Sequence, residues 1–150
     1  MSSEPIRIAS VGLGWWSDVL ADAALRTDGQ VQIATCFTRS EEKRKIFAEK
    51  YSCAAASSIE EVLGDDSIDG VINTTPNHVH LETTAEAAKA GKHVFLDKPI
   101  ANTIADAKAI TQVCKDNNVV LGVGYQRRRQ GHFRWIQEQI AAGNFGKLVN

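Results

Sequence analysis

The chain has few of the residues that build metal sites and disulfide frameworks. Its three cysteines, Cys36, Cys53 and Cys114, are odd in number and widely separated. That excludes a paired disulfide scaffold and fits reduced thiols. No pair of them has metal-site spacing, and His78 and His80, two apart, diverge on a helix; no metal is expected. Long apolar runs are also missing. The longest are strand-length, far short of the roughly 20 residues a bilayer crossing needs, so no membrane partner is expected. The opening Met1-Ser2-Ser3-Glu4-Pro5 has no basic segment followed by an apolar one and does not read as a secretory signal. These absences favour a cytoplasmic location. A net charge of −1 gives no one-signed field to attract nucleic acid. Internal repeats and low-complexity segments are absent as well.

What is present suffices for one core. The chain has 150 residues, of which 43% are hydrophobic, the size and composition of a single domain. Ile6 to Val11 is apolar, β-branched and ends in glycine, as a strand does. A helix is expected from Trp16 to about Arg26. A strand follows at Val31–Phe37, then a charged surface helix from Glu41 to about Lys50, capped by Ser40. Cys53–Ala55 forms a very short third strand. Ser58-Ile59-Glu60-Glu61 fits a capping box that opens a short helix ended by Gly64. Gly70–Asn73 is a fourth strand. The turn Thr74-Thr75-Pro76-Asn77 follows, with Asn77 placed to cap a helix from about His78 to Ala90. His93–Leu96 is a fifth strand, bounded by Asp97-Lys98-Pro99. Thr103 caps a helix with Ile104, Ala107, Ile110 and Cys114 on one face. Val119–Val123 is a sixth strand. Phe133, Ile136 and Ile140 mark the inner face of a last helix that ends at Gly143.

Strands thus alternate with helices throughout, which predicts an α/β fold: a doubly wound parallel sheet with helices on both faces. The division expected is an α/β domain over 1–124 and a connecting helix over 125–150. Lys147-Leu148-Val149-Asn150 starts another extended run and stops, which reads as part of a longer protein.

Two motifs carry the chemistry. Val11-Gly12-Leu13-Gly14-Trp15-Trp16-Ser17 leaves the first strand and enters a helix, the context that a phosphate-binding turn requires. Gly12 permits the tight turn. Gly14 lets a pyrophosphate approach the backbone, and the helix offers free N–H groups. Ser17 takes the third small position. Asp97-Lys98-Pro99 closes the fifth strand. Ligands of open parallel sheets bind at the carboxyl ends of strands, so both motifs face one crevice.

The second strand ends in Phe37-Thr38-Arg39-Ser40, with no carboxylate before Glu41. NAD-type sites use a carboxylate there for the ribose 2′-hydroxyl. Arg39 can instead pair bidentately with a 2′-phosphate, helped by Thr38 or Ser40. NADP(H) is therefore the favoured cofactor and NAD(H) the other possibility. In the competing reading, Arg39 is a solvated cation and Glu41 bonds the ribose.

Gly12-Leu13-Gly14, Asn73-Thr74-Thr75-Pro76-Asn77-His78-Val79-His80 and Gly91-Lys92-His93-Val94-Phe95-Leu96-Asp97-Lys98-Pro99 together resemble the glucose–fructose oxidoreductase/inositol dehydrogenase/rhizopine catabolism (Gfo/Idh/MocA) family. Asp97 stands where that family usually has glutamate. The resemblance implies a Rossmann-type domain that binds a nicotinamide dinucleotide. A second, α+β domain, absent from this chain, would form the substrate pocket and a homo-oligomer interface.

It also implies site residues. Lys98 would be catalytic, beside the nicotinamide ribose and the reacting carbon, where an ammonium stabilises developing alkoxide. Cofactor contacts would come from Gly12, Leu13, Gly14, Trp15, Trp16, Thr38, Arg39, Ser40, Thr74, Thr75, Pro76, Asn77, Asp97, Lys98 and Gln126. Asn73 joins the turn. His80 lies either near the nicotinamide or on the helix surface, and Trp15 and Trp16 either on the cofactor or in the core. Arg127 or Arg128 would face substrate, a sugar, inositol or cyclic dihydrodiol. The arginine run Arg127-Arg128-Arg129 is no nucleic-acid site, because no other basic face accompanies it. The expected activity is hydride transfer at a CH–OH carbon. The alternative is a non-enzymatic dinucleotide sensor on the same fold.

Overall fold

A computed structural model describes residues 4–147 and 149. Met1–Ser3 lie outside the described residues, as do Leu148 and Asn150 from the expected final extended run. Six parallel strands form one sheet: β1 (Ile6–Val11), β2 (Val31–Phe37), β3 (Ala54–Ala55), β4 (Gly70–Asn73), β5 (His93–Leu96) and β6 (Leu121–Val123). Their order is β3-β2-β1-β4-β5-β6. That is the doubly wound dinucleotide-fold order, with its switch point between β1 and β4.

Six helices cross between or follow them: α1 (Trp15–Leu25), α2 (Glu41–Tyr51), α3 (Ile59–Gly64), α4 (His80–Lys89), α5 (Ile104–Asp116) and α6 (Gly131–Ala141). Alternate residues of each strand feed opposite faces of the sheet. Ala9, Val11, Val71, Val94 and Leu96 pack with Val62 of α3, Ala87 of α4 and Ile110 of α5. Ile33, Cys36 and Ile72 pack on the other side with Ala21 and Ala24 of α1 and Phe47 and Tyr51 of α2. Each fully buried Leu or Ile in these layers contributes about 2 kcal/mol.

Three expected caps form. Ser40, Ser58 and Thr103 accept from the backbone N–H of Lys43, Glu61 and Asp106. The capping box is shifted by one residue, because Glu61 reaches the N–H of Ser57 at 2.7 Å. Asn77 differs from expectation. It opens a 3-10 turn (Asn77–Val79), and α4 starts after it without a side-chain cap. The sixth strand is shorter than predicted, since Val119 and Val120 precede its ladder. All three cysteines are free.

Coverage of the sheet is uneven. On the α3–α4–α5 face Val71, Val94 and Leu96 are buried. On the α1–α2 face, Phe95 of β5 stays exposed. There a cavity of about 910 Å³ opens between Trp16 and Leu20, the β5–β6 surface, and Arg134 and Gln137 of α6. Phe133, Ile136 and Ile140, expected on an inner face, are exposed, and no residue of α6 is buried.

Candidate functional site

The site grows from the switch point. β1 and β4 run in register, Val11 beside Asn73, so the turns that leave them meet. Gly12 has φ +85°, and a Cβ there would stand 2.7 Å from the Thr75 nitrogen. Only glycine fits that contact. The Thr74 hydroxyl donates to the carbonyl of Gly12 and, at 3.3 Å, to that of Val11. Asn73 is fully buried. Its carboxamide oxygen accepts from the N–H of Thr75 at 3.1 Å and its hydroxyl at 2.6 Å. Its amide donates to Thr83 at 2.7 Å. Asn73 and the two threonine hydroxyls therefore shape the turn from within, and the backbone presents the outer surface.

Gly14 precedes α1 with no side-chain cap, and a Cβ built on it meets nothing within 4 Å. An uncapped helix start behind open space suits a phosphate group: N–H donors and the positive dipole end face outward. Ser17 is buried and donates to the Gly14 carbonyl at 2.6 Å, which fixes the start of that turn. The Leu13 side chain lies in the α1–α2 core, so only its backbone faces the turn.

A cavity of about 300 Å³ adjoins the turn, lined by Val11, Gly12, Phe37, Thr38, Arg39, Thr75 and Pro76 among others. The expected Thr38, Arg39, Thr75 and Pro76 thus meet in one place. Asn77 does not line it, and Ser40 is occupied as a helix cap. Glu41 forms an ion pair with Lys45 at 2.7 Å, both largely in solvent, and is not among the lining residues. The Lys45 hydrogen bond holds its carboxyl below the usual value. His78, Glu82 and Glu86 also line the cavity, which sequence reasoning missed. Their spacing of four, one helix face, was the available signal.

Lys98 sits at the carboxyl end of β5, beside β4. Its N–H donates to the Asp97 carboxylate at 2.8 Å, and its ammonium stands 5.9 Å from the Trp16 ring centre. The Lys98–Pro99 peptide is cis. Trp16 therefore adjoins the lysine, and its indole nitrogen is buried without a partner. Trp15 is 76% exposed and joins no core. Gln126 and Arg128 line the larger cavity, as do Arg129 and Arg134, to which the sequence assigned no role. Arg127 does not.

His80 is corrected on both of its expected placements. It is 1% exposed, neither open to a cofactor nor on the helix surface. Nε2 lies 2.9 Å from the Thr75 carbonyl and Nδ1 3.1 Å from that of Pro99. One imidazole ties the β4 turn to the lysine turn.

A glycine turn at the switch point, an open helix start and a cavity at the ends of β1, β2 and β4 define a dinucleotide-binding α/β domain. Residues 6–125 match the family described as "Oxidoreductase family, NAD-binding Rossmann fold" (GFO_IDH_MocA). The chain belongs to that family. It is 32% identical over 126 residues to a 1,5-anhydro-D-fructose reductase of Ensifer adhaerens, covering 84% of this chain and 38% of the relative. It is 30% identical to a myo-inositol 2-dehydrogenase of Thermotoga maritima, covering 95% and 42%. Among solved structures, a putative NADPH-dependent oxidoreductase from Desulfitobacterium hafniense superimposes with a TM-score of 0.92 at 34% identity, covering 97% and 42%. The chain thus spans about two fifths of the length of these relatives. Among the described residues, no helix is long and apolar enough to cross a membrane.

Proposed function

We propose that this chain is the cofactor-binding unit of an NADP(H)-preferring oxidoreductase that acts on a secondary alcohol or carbonyl of a sugar, inositol or cyclic dihydrodiol. The observation that carries the reading is the meeting of the Gly12–Gly14 turn, the Thr38–Arg39 loop and the Thr75–Pro76 turn on one crevice, with Lys98 at the next strand end. The relatives named as reductase and inositol dehydrogenase support the substrate class. The structural neighbour named as NADPH-dependent supports the cofactor.

The dinucleotide, when bound, supplies the hydride acceptor or donor; the chain supplies position and charge. The α1 start and the backbone of Gly12–Gly14 bind the pyrophosphate. Arg39 pairs with the 2′-phosphate through its planar fork. Thr75 and Pro76 wall the crevice. Lys98 holds its ammonium against the substrate oxygen and stabilises the charge that develops there. Arg128 and Gln126, on the neighbouring cavity, border the substrate side. Partner subunits and a second domain belong to the polypeptide by which the relatives exceed this chain. The reading is of a cytoplasmic enzyme without nucleic-acid or membrane partners.

The test is a tryptophan-fluorescence titration with NADPH and NADH in parallel. Trp16, next to Lys98, reports the binding. Saturable quenching, tighter for NADPH, is the expected result. Tighter NADH binding removes the Arg39 assignment. Binding of neither by a folded chain removes the function.

A further inference from the structure

Arg44 stands apart on α2. The other charged residues of that helix are exposed, whereas Arg44 is half-buried. Its Nη1 donates to the carbonyl of Thr38 at 2.6 Å and to that of Arg39 at 3.3 Å. Its guanidinium carbon lies 5.8 Å from the ring centre of Phe37, the last residue of β2. The helix that carries it is anchored by Phe47 and Tyr51 in the core. One cation therefore spans the β2 end and both backbone carbonyls of the loop that lines the smaller cavity.

The loop has little else to hold it. Ser40 is committed to capping α2, and Glu41 turns out to Lys45. Charge-assisted hydrogen bonds to carbonyls are stronger than neutral ones, and removing the donor frees both carbonyls at once. A bidentate Arg–phosphate contact needs the backbone beneath it fixed, because a wandering loop spends binding energy on ordering.

We propose that Arg44 is a specificity-determining residue that acts through Arg39: it staples the Thr38–Arg39 backbone so that Arg39 stays at the cavity wall to receive a 2′-phosphate. This rests on the NADP(H) reading above. Arg44 makes no ligand contact of its own in this account. Its effect is on selectivity between the two cofactors, with NADH affinity nearly unchanged.

The experiment is a double-mutant cycle on the 150-residue chain, with wild type, Arg44→Met, Arg39→Ala and the pair titrated with NADPH and NADH. Circular dichroism checks each fold. Arg44→Met is expected to lower the NADPH:NADH affinity ratio about tenfold, equivalent to about 1.4 kcal/mol. In the Arg39→Ala background it is expected to lower it no further. An equal loss in both backgrounds makes Arg44 an independent cation and overturns the proposal. So does a ratio that Arg44→Met leaves unchanged while Arg39→Ala lowers it, with the NADP(H) reading intact. If Arg39→Ala itself leaves the ratio unchanged, the NADP(H) reading fails and this inference with it. Should Arg44→Met not fold, Arg44→Lys carries the cycle. It keeps a donor on a shorter stem, and a partial loss confined to the background with Arg39 is expected.

Discussion

The crevice at the ends of β1, β2 and β4 and the segment from Tyr125 to Lys147 are built in opposite ways. In the crevice, polar groups are consumed by one another. Asn73, Thr74, Thr75 and His80 bond to carbonyls, hydroxyls and N–H groups of neighbouring turns. In the C-terminal segment, α6 has an apolar stripe and no buried residue. The first region is cross-linked by its own hydrogen bonds, as a binding turn requires, since preorganised donors cost nothing to reorder. The second leaves Phe133, Ile136 and Ile140 exposed and turns Arg134 and Gln137 toward the open face of β5 and β6. The difference teaches where the chain is self-sufficient: the switch-point turns satisfy their polar groups among themselves, whereas α6 leaves its apolar residues uncovered.

Substitutions sharpen or break this contrast. The largest effect is expected from Lys98→Met. In a preparation that turns over a polyol, kcat should fall about 100–1000-fold, the cost of losing one charge-stabilising donor. Cofactor affinity should stay within a few-fold. Retained turnover removes the lysine from the chemistry. Next is Gly12→Ala. A Cβ at positive φ, driven into the Thr75 backbone, should cost about 3 kcal/mol in urea unfolding and abolish cofactor binding. His80→Leu should cost about 1–3 kcal/mol, because the ring N–H that bonds one turn carbonyl is lost and the buried imidazole's packing goes with it. An unfolding midpoint equal to wild type would show that the imidazole ties nothing together.

A smaller effect concerns Asp18, in the first turn of α1. Burial acts to raise its carboxyl, but hydrogen bonds from Lys50 and Tyr51 and the Lys50 charge hold it below its ordinary 3.8. Its folded value is the lower one, so its contribution is present above about pH 3.8 and fades as pH falls. Asp18→Asn should cost less than about 1 kcal/mol at neutral pH, since the pair is half in solvent. The gap from wild type should close in acid unfolding. The smallest effect belongs to α6. Serine at Phe133, Ile136 and Ile140 together should change the stability of this chain by no more than about 0.5 kcal/mol. A larger loss would mean that α6 is held in place and the contrast is false.

The inner strands were legible from their apolar, β-branched sequence, although only β4 is buried throughout and β5 leaves His93 and Phe95 exposed. Val31–Phe37, Gly70–Asn73 and His93–Leu96 are short apolar runs bounded by turn residues, and the structure keeps those bounds. The glycine turn was legible for the same local reason. His80 was not, although it shares the buried face of α4 with Thr84, Ala87 and Ala88, because its partners are carbonyls of two turns, one of them 19 residues away in the chain. Arg44 was hidden in a run of charges that read as a solvated face. Nothing in the sequence distinguishes it from Lys43 or Lys45 until the loop carbonyls are in place. The stripe on α6 was legible as amphipathic, but amphipathicity does not say which surface a helix meets.

Amide chemical-shift mapping of the 15N-labelled chain during titration with NADPH tests the central claim most directly. Shifts are expected at Gly12–Ser17, Phe37–Ser40 and Thr74–Thr75, with the α6 amides unmoved. Shifts confined to α6 and the β5–β6 face, with the switch-point turns silent, would contradict it.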